Sequence, residues 1–241
     1  MNLIFISGAV HGAQHEPGED LAARLAAADR PEADKVRDAG RKPAEVVLFL
    51  GIGTGMQVID LIAAGGYYTE VLSHAVGPKG QVYAQNPQFV LEFRDGANDK
   101  ELTERLAGGR LPNVERLDRA VAELGIAPAS IDAALTALNF HDIYNGRGAE
   151  TANAFLAEVL KLLKPGGVLG IVDHSGGVGD DTELHRIDQA IVEKAALATG
   201  FEIVAKSDLL RNPADDRKAS VFAPDLRGKT DRFVLRLRKP E

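Results

Sequence analysis

The sequence predicts an α/β protein in which a doubly wound, mostly parallel β-sheet carries helices on both faces. Residues 57–86 read as a strand, a glycine turn, a helix, a second turn and a second strand. Residues 133–138 form a nearly uninterrupted run of small and apolar side chains, which is typical of a central parallel strand covered on both faces. Residues 232–238 alternate apolar and basic side chains, as a half-exposed strand does.

The first strand–turn–helix unit carries the most specific local signal. Residues 58–62 are apolar except for Asp60, and Gly65 and Gly66 follow where this strand ends. Glycines at that point permit a sharp turn and a close approach of a ligand to the backbone. Such turns lie at the carboxyl ends of parallel strands, where ligands bind, and the helix predicted over residues 67–75 points free N–H groups at an anion.

Composition narrows the class of protein. The chain has 241 residues, of which 45% are hydrophobic, so it can bury a substantial core. Its 28 basic and 35 acidic residues give a net charge of −7, which argues against a general binder of nucleic acid or anionic membranes. The absence of cysteine excludes disulfides, thiolate metal sites and cysteine nucleophiles. No run is long and apolar enough to span a membrane.

The first ten residues form a short apolar stretch that ends in small side chains. Two interpretations stay open. The stretch is the remnant of a signal peptide that began upstream, which predicts a periplasmic or secreted protein, or it is a loosely docked terminus of a cytoplasmic one.

The turn after the first strand resembles the first motif of the class I S-adenosylmethionine-dependent methyltransferases. That motif is an acidic residue followed by a glycine-rich turn, D/E-x-G-x-G-x-G, and residues 60–66 read DLIAAGG. Asp60 and Gly66 match the motif, whereas Ile62 and Ala64 occupy the two earlier glycine positions. Each Cβ at those positions limits how closely a ligand can approach the backbone.

The resemblance extends over residues 37–239. Its segments read DLIAAGGYYTE, VGPKGQVYAQN, LNFHDIY, LLKPGG, VDHS, HRID and SDLLRN, and they look most like a bacterial subgroup of predicted, often exported methyltransferases. LLKPGG before a strand is a structural signature, because glycine ends the helix and reverses the chain. The resemblance implies a Rossmann-like sheet of seven strands in the order 3-2-1-4-5-7-6, with the last strand antiparallel.

The resemblance also implies S-adenosylmethionine as cofactor. The implied cofactor residues are Asp60, Leu61, Ala63, Gly65, Gly66, Tyr68, Asn86, Asp118 and Asn139. Family members end strand two with an acid that binds the ribose hydroxyls. The matching position here is Asn86, a weaker acceptor than a carboxylate. Asp118 follows strand three, where the family often contacts adenine, but it is equally suited to cap the turn over residues 120–124.

The chain before the sheet is expected to form a separate segment. Residues 1–42 are predicted to be an N-terminal helical segment, and residues 43–241 are predicted to form the methyltransferase-like domain. Residues 29–43 are dense in alternating charges. The family often uses such a segment as a lid over the cofactor, in which case Arg37 and Arg41 would meet a carboxylate. The alternative is a solvated helix with ordinary charge pairs.

The candidate catalytic residues follow strands four and five. In the family, the segment matching residues 139–142 borders the transferred methyl group. His141 is expected to titrate near neutral pH, as a base that deprotonates an acceptor would, and Asp142 could orient its imidazole. His174 ends strand five and is the main rival for the same role. The alternative is that both histidines only form hydrogen bonds to loops.

The same residues are compatible with other functions. Five side chains offer nitrogen or oxygen ligands to a metal: His141, Asp142, Asp173, His174 and His185. Their spacing fits no motif that specifies a metal, so no metal is predicted. The departures Ala64 and Asn86 leave two alternatives to methyl transfer open. One is cofactor-independent hydrolysis, elimination or isomerisation, and the other is non-enzymatic binding. The expected partner is a small-molecule acceptor, with no nucleic acid and no membrane, and a homodimer is compatible.

Overall fold

A computed structural model describes residues 17–177 and 181–241, so the apolar stretch over residues 1–10 lies outside the described residues. Seven strands are formed: β1 (Gln57–Leu61), β2 (Gln81–Gln85), β3 (Val114–Leu117), β4 (Ile131–Ala137), β5 (Leu163–His174), β6 (Glu202–Ser207) and β7 (Arg232–Arg238). They lie in one sheet in the order β3-β2-β1-β4-β5-β7-β6. Strands β1 to β5 pair in parallel, and β7 runs antiparallel to both β5 and β6. The predicted strand order and the antiparallel last strand are confirmed.

Seven α-helices surround the sheet within the described residues: α1 (Pro17–Ala27), α2 (Glu32–Arg41), α3 (Pro43–Leu50), α4 (Tyr67–Val76), α5 (Gln88–Leu106), α6 (Phe140–Leu162) and α7 (Gln189–Ala198). Helix α3 begins with Pro43, whose missing N–H costs nothing in the first turn, and ends at Gly51 in the left-handed conformation. Within residues 17–177 and 181–241, every helix is too short or too polar to cross a lipid bilayer.

Several helix boundaries differ from the sequence-based prediction. The sequence predicts a helix over residues 100–107, but α5 starts 12 residues earlier, at Gln88, and is interrupted at residues 93–96, where the backbone leaves helical angles. The sequence also predicts an amphipathic helix over residues 151–164, but α6 starts at Phe140, because its two halves are joined across a break at Gly148. The turn expected to close α6 instead begins β5, since Leu163 pairs with Ile131 before a register shift.

Alternating strand residues fill two hydrophobic clusters, one on each face of the sheet. Ile59 and Leu61 point into the cluster that α6 and α7 cover, whereas Val58 points into the cluster beneath α1, α3 and α4. Leu21 and Leu25 of α1 are buried in the second cluster. The sheet is therefore covered on both faces, as its apolar strands predict.

This arrangement brings distant segments to one edge of the sheet. Leu61 lies beside Gln85 on one side and beside Thr136 on the other, and Ala137 lies beside Val172. The chain therefore leaves β1, β2, β4 and β5 at neighbouring points. In parallel sheets this carboxyl edge is where ligand sites form.

Candidate functional site

A cavity of about 230 Å³ opens at the carboxyl end of β1. Asp60 and residues 62–65 form one wall, Tyr67 and Tyr68 of α4 and residues 137–139 form others, and Arg37, Arg41, Asn98 and Glu101 cover it from α2 and α5. Five of the predicted cofactor residues thus line this cavity: Asp60, Ala63, Gly65, Tyr68 and Asn139.

The turn in this wall adopts a backbone conformation that favours glycine. Ile62 has a φ angle of 57° and Ala64 has a φ angle of 51°, although both carry a Cβ. The left-handed region costs an L-residue about 1–2 kcal/mol. Two amides hold the turn there, since the side chain of Gln85 accepts a hydrogen bond from Ile62 N at 3.1 Å and that of Asn86 accepts one from Ala64 N at 2.8 Å. Surrounding contacts of this kind are what allow backbone strain to persist.

Asn86 lies behind the cavity wall and does not line the cavity. Its side chain is fully buried, and its Nδ2 donates to the carbonyl oxygen of Ala64 at 3.1 Å while its Oδ1 accepts from the same residue. Both polar atoms of the amide are therefore used to hold the turn. This placement differs from the expected contact with ribose hydroxyls.

Three other predicted cofactor residues also lie outside the cavity. Leu61 is buried in the core. A Cβ added to Gly66, whose φ is 83°, would lie 2.8 Å from Leu102 Cδ1, so Gly66 is required by the packing of α5. Asp118 accepts hydrogen bonds from Arg116 Nε at 2.7 and 2.8 Å beside a separate depression, and it does not cap the following 3-10 turn.

Asp60 is a buried carboxylate in the cavity wall. Thr69 donates its hydroxyl to Asp60 at 2.7 Å and also donates its backbone N–H, so this carboxylate holds the first turn of α4. Burial raises the pKa of Asp60 to about 7, against the opposing effects of these hydrogen bonds and of the charges of Arg41 and Arg105.

Two arginines of α2 stand over the cavity against an aromatic ring. The guanidinium carbon of Arg41 lies 4.4 Å from the centroid of the Tyr67 ring, and that of Arg37 lies 4.9 Å from it. The Tyr67 hydroxyl donates to Asp38 Oδ1 at 2.6 Å, which ties α2 to α4. Burial and the neighbouring charge of Arg41 lower the pKa of Arg37. Arg37 also forms an ion pair with Asp34 at 3.1 Å. The cavity mouth therefore offers Arg41, and Arg37 in competition with Asp34, to an anionic ligand group.

A buried ion network anchors this cover. Arg105 of α5 is almost fully buried, forms an ion pair with Glu70 of α4, and lies 2.7 Å from Asp34 of α2. Its Nε also donates to the carbonyl oxygen of Gly65 at 2.7 Å. One side chain thus joins α2, α4, α5 and the turn after β1.

A second cluster of polar side chains lies at the ends of β4 and β5 and begins two residues beyond Asn139. Asp173 is fully buried and accepts hydrogen bonds from the backbone N–H groups of His141 and His174, each at 2.8 Å. Its Oδ1 also lies 2.7 Å from His141 Nδ1. The opposite ring atom, His141 Nε2, is 3.3 Å from Asp142 Oδ1.

Two more histidines reach this group. His185 Nδ1 lies 2.9 Å from Asp142 Oδ1, and the His185 ring packs edge-on against Phe222. His174 Nδ1 lies 2.7 Å from Thr230 Oγ1, and its ring centroid is 5.7 Å from that of His141. The three predicted catalytic residues are therefore neighbours. The contact between Asp142 and His185 spans 43 residues of sequence, and no local spacing signals it.

The two central histidines differ in charge. Burial disfavours a charged His141, but the carboxylates of Asp173 and Asp142 outweigh it and raise the pKa of His141 to about 10. Burial lowers the pKa of His174 to about 3. His141 is therefore protonated at neutral pH, which differs from the expectation of a base that titrates near 7. The reason is the buried partner Asp173.

The proteins found to be similar to this chain are solved structures. No family model matches the sequence, and no curated relative is found. A S-adenosylmethionine-dependent methyltransferase from Aquifex aeolicus superposes with a TM-score of 0.62 at 20% identity, covering 93% of this chain and 99% of that chain. The [4+2]-cyclase SpnF gives a TM-score of 0.60 at 16% identity, with 84% and 81% covered.

A third structure is an arsenic(III) S-adenosylmethionine methyltransferase from Chlamydomonas reinhardtii. It gives a TM-score of 0.52 at 15% identity, covering 78% of this chain and 64% of that chain. At such low identity these likenesses establish architecture and leave chemistry to the site. The chain has the fold of the class I S-adenosylmethionine-dependent methyltransferases.

Proposed function

We propose that this protein transfers a methyl group from S-adenosylmethionine to a small-molecule acceptor. The observation that carries the proposal is the turn after β1, where Ile62 and Ala64 hold left-handed φ angles beside the cavity. Backbone strain of this kind clusters at ligand sites. The two residues that depart from the glycine motif thus retain the conformation that glycines adopt most easily.

The cavity residues fit the polar ends of this cofactor. Asp60, Ala63 and Gly65 would hold its amino-acid part, and Tyr68 and Asn139 would contact it from α4 and from the end of β4. Arg37 and Arg41 would meet its carboxylate, since guanidinium groups pair well with carboxylates. In this proposal Leu61, Gly66 and Asn86 support the turn from behind.

The acceptor side would lie beyond Asn139, at His141, Asp142 and His174. When bound, S-adenosylmethionine supplies an electrophilic methyl group. The protein's own contribution is to hold the acceptor in line with that group, because alignment alone removes a large part of the barrier to transfer. Asp142 is exposed, so an acceptor can reach this side from solvent.

Isothermal titration calorimetry with S-adenosylmethionine and with its demethylated product tests the proposal. Both ligands are expected to bind with one site per chain at pH 8. Asp60→Asn is expected to weaken binding about tenfold or more, a change of about 1.4 kcal/mol. Asp208→Asn is the matched control, because the side chain of Asp208 is 93% exposed and lies outside the cavity, and its affinity should equal that of the wild type. If neither ligand binds the wild type at millimolar concentration, the proposal is rejected.

A further inference from the structure

We propose that His141, Asp142 and His185 bind a divalent transition-metal ion at the end of β4. One donor atom from each residue lies within 4.8 Å of the other two. Asp142 Oδ1 is 3.3 Å from His141 Nε2 and 2.9 Å from His185 Nδ1. An ion held at about 2.0–2.2 Å from each ligand in tetrahedral geometry requires ligand atoms roughly 3.3–3.5 Å apart. The first of these separations lies in that range, the second is shorter than it, and the two imidazole nitrogens lie within 4.8 Å of each other.

The hydrogen bond behind His141 points to a metal ligand independently of these distances. Asp173 fixes Nδ1 of this ring at 2.7 Å, so Nε2 is the atom presented to Asp142. Histidines that ligate metals almost always donate their second ring N–H to a carboxylate, a carbonyl or water. Asp173 is itself held by two backbone N–H groups and is fully buried. The ring is therefore oriented before any ligand arrives.

His185 is also held in place. Its backbone has a φ angle of 54°, and its N–H donates to the carbonyl oxygen of Thr182 at 3.1 Å. Its ring lies 4.8 Å from the centroid of the Phe222 ring. A histidine held by its backbone conformation and a ring contact loses little further conformational entropy when it coordinates an ion. Ordering this side chain therefore subtracts little from the binding free energy.

The donor set indicates the class of ion. Two imidazole nitrogens and one carboxylate oxygen suit Zn²⁺, Co²⁺, Ni²⁺ or Fe²⁺, whereas Mg²⁺ and Ca²⁺ prefer oxygen ligands throughout. The side chains of Asp142 and His185 are 61% and 37% exposed. The remaining coordination positions therefore face solvent, as in catalytic metal sites, which keep a position open.

The location suggests a role for the ion. The site begins two residues after Asn139, which lines the cofactor cavity. A metal ion there could bind an acceptor oxygen and lower the pKa of its proton, which removes the need for a separate base. Only this role rests on the methyl transfer proposed above. Metal binding itself does not, and it is measured without any cofactor.

The test is a titration of chelator-treated full-length protein with Co²⁺, followed by its visible absorption, and with Zn²⁺, followed by calorimetry. One equivalent is expected to bind, and Zn²⁺ should displace Co²⁺ from the same site. Asp142→Asn and His185→Asn should each lower the affinity about 100-fold or more, since each replaces one of three ligands with a weakly coordinating amide. Asp208→Asn, an exposed carboxylate outside the cluster, should bind as the wild type does.

A further variant separates a built site from surface adsorption. Asp173→Asn leaves all three ligands in place but weakens the hold on the His141 ring, so the affinity should fall about 10- to 100-fold. Circular dichroism establishes that each variant is folded. The proposal is overturned if the wild type binds no stoichiometric ion, or if Asp142→Asn and His185→Asn bind it as tightly as the wild type. Because no cofactor is present, failure here leaves the proposed methyl transfer untouched, and failure of cofactor binding leaves the metal site untouched.

Discussion

Two neighbouring alanines in the turn after β1 adopt different backbone conformations. Ala64 has a φ angle of 51°, whereas Ala63 is outside the left-handed region. A glycine at position 64 would relieve backbone strain of about 1–2 kcal/mol. At either position, glycine also raises the conformational entropy of the unfolded chain, which costs roughly 0.5–1 kcal/mol of stability, and at position 63 this cost is the only effect.

Ala64→Gly is therefore expected to raise the free energy of unfolding by up to about 1 kcal/mol, and Ala63→Gly to lower it by roughly 0.5–1 kcal/mol. Urea unfolding of the two variants and the wild type measures this difference. The two residues are chemically identical and adjacent, so each serves as the control for the other. Equal losses in both variants would show that the turn is not strained at Ala64.

The buried carboxylate of Asp60 is expected to make the stability of the protein depend on pH. Its folded-state pKa of about 7 exceeds the ordinary value of 3.8, so the folded protein holds one more proton than the unfolded chain between these values. The contribution of Asp60 to stability therefore falls as the pH rises from about 4 to about 7. Thr69, Arg41, Arg105 and Tyr68 face this carboxylate, and the pKa values of Arg105 and Tyr68 are raised further above that interval.

Asp60→Asn removes this titrating group, so the stability of the variant relative to the wild type should increase as the pH rises. The difference in free energy of unfolding between them should increase by at most about 4 kcal/mol from pH 4 to pH 7.5, and should be constant above about pH 8. Urea unfolding at several pH values gives both curves. A difference that does not depend on pH would contradict the buried, proton-binding Asp60.

At the scale of elements, a buried cation ties α2 to α4 and α5, in addition to the hydrogen bond between Tyr67 and Asp38. Arg105 neutralises both Asp34 of α2 and Glu70 of α4, and each of these carboxylates is buried. Without Arg105, each carboxylate keeps a second, more exposed partner, Arg37 for Asp34 and Arg110 for Glu70, but loses its buried one. Losing the partner of a buried charge typically costs about 3–5 kcal/mol. The cover of the cavity should therefore depend on this residue.

Arg105→Met should lower the free energy of unfolding by about 3–5 kcal/mol, measured by urea unfolding. Arg238→Met is the matched control, because Arg238 pairs with one carboxylate, Glu202, and both side chains are nearly half exposed. Such surface pairs contribute little to stability, because water and salt screen them. Similar losses in the two variants would mean that the network does not hold α2 in place.

Individual elements could be predicted from the sequence where one local signal dominates. The bounds of strand β7, Arg232–Arg238, were predicted correctly, because its apolar and basic side chains alternate. The expected half-exposure was wrong, since five of its seven residues are buried where the strand lies between β5 and β6. The first half of α6 was missed, since residues 140–150 carry Asn145, Gly146 and Gly148, which favour turns. Contacts with the sheet and with the turn Val121–Glu123 override those local preferences.

At the scale of the whole molecule, the order of strands and the edge that holds the site were predictable, but the roles of single residues were not. A motif places Asp60 and Gly65 at the end of β1, and the structure puts both at the cavity. The same motif cannot tell that the amide of Asn86 turns towards Ala64, or that Asp118 pairs with Arg116. Those outcomes depend on which polar partner lies closest after folding.

The same fold serves different reactions, so the chemistry has to come from the site. Among the structures that superpose on this chain are a methyltransferase from Aquifex aeolicus and a [4+2]-cyclase. This chain has a covered cavity with two arginines at its mouth and a histidine cluster beside it. In our proposal the cavity holds the cofactor, and the cluster lies on the acceptor side.

A crystal structure of the protein grown with S-adenosylhomocysteine, the demethylated product, tests the central claim most directly. Electron density for the ligand is expected in the cavity at the end of β1. Its amino-acid part should contact Asp60, Ala63 and Gly65, and its carboxylate should lie against Arg37 or Arg41. Density for the ligand at another place on the molecule, or an unliganded cavity at a ligand concentration that saturates binding in solution, would contradict the assignment of this cavity as the cofactor site.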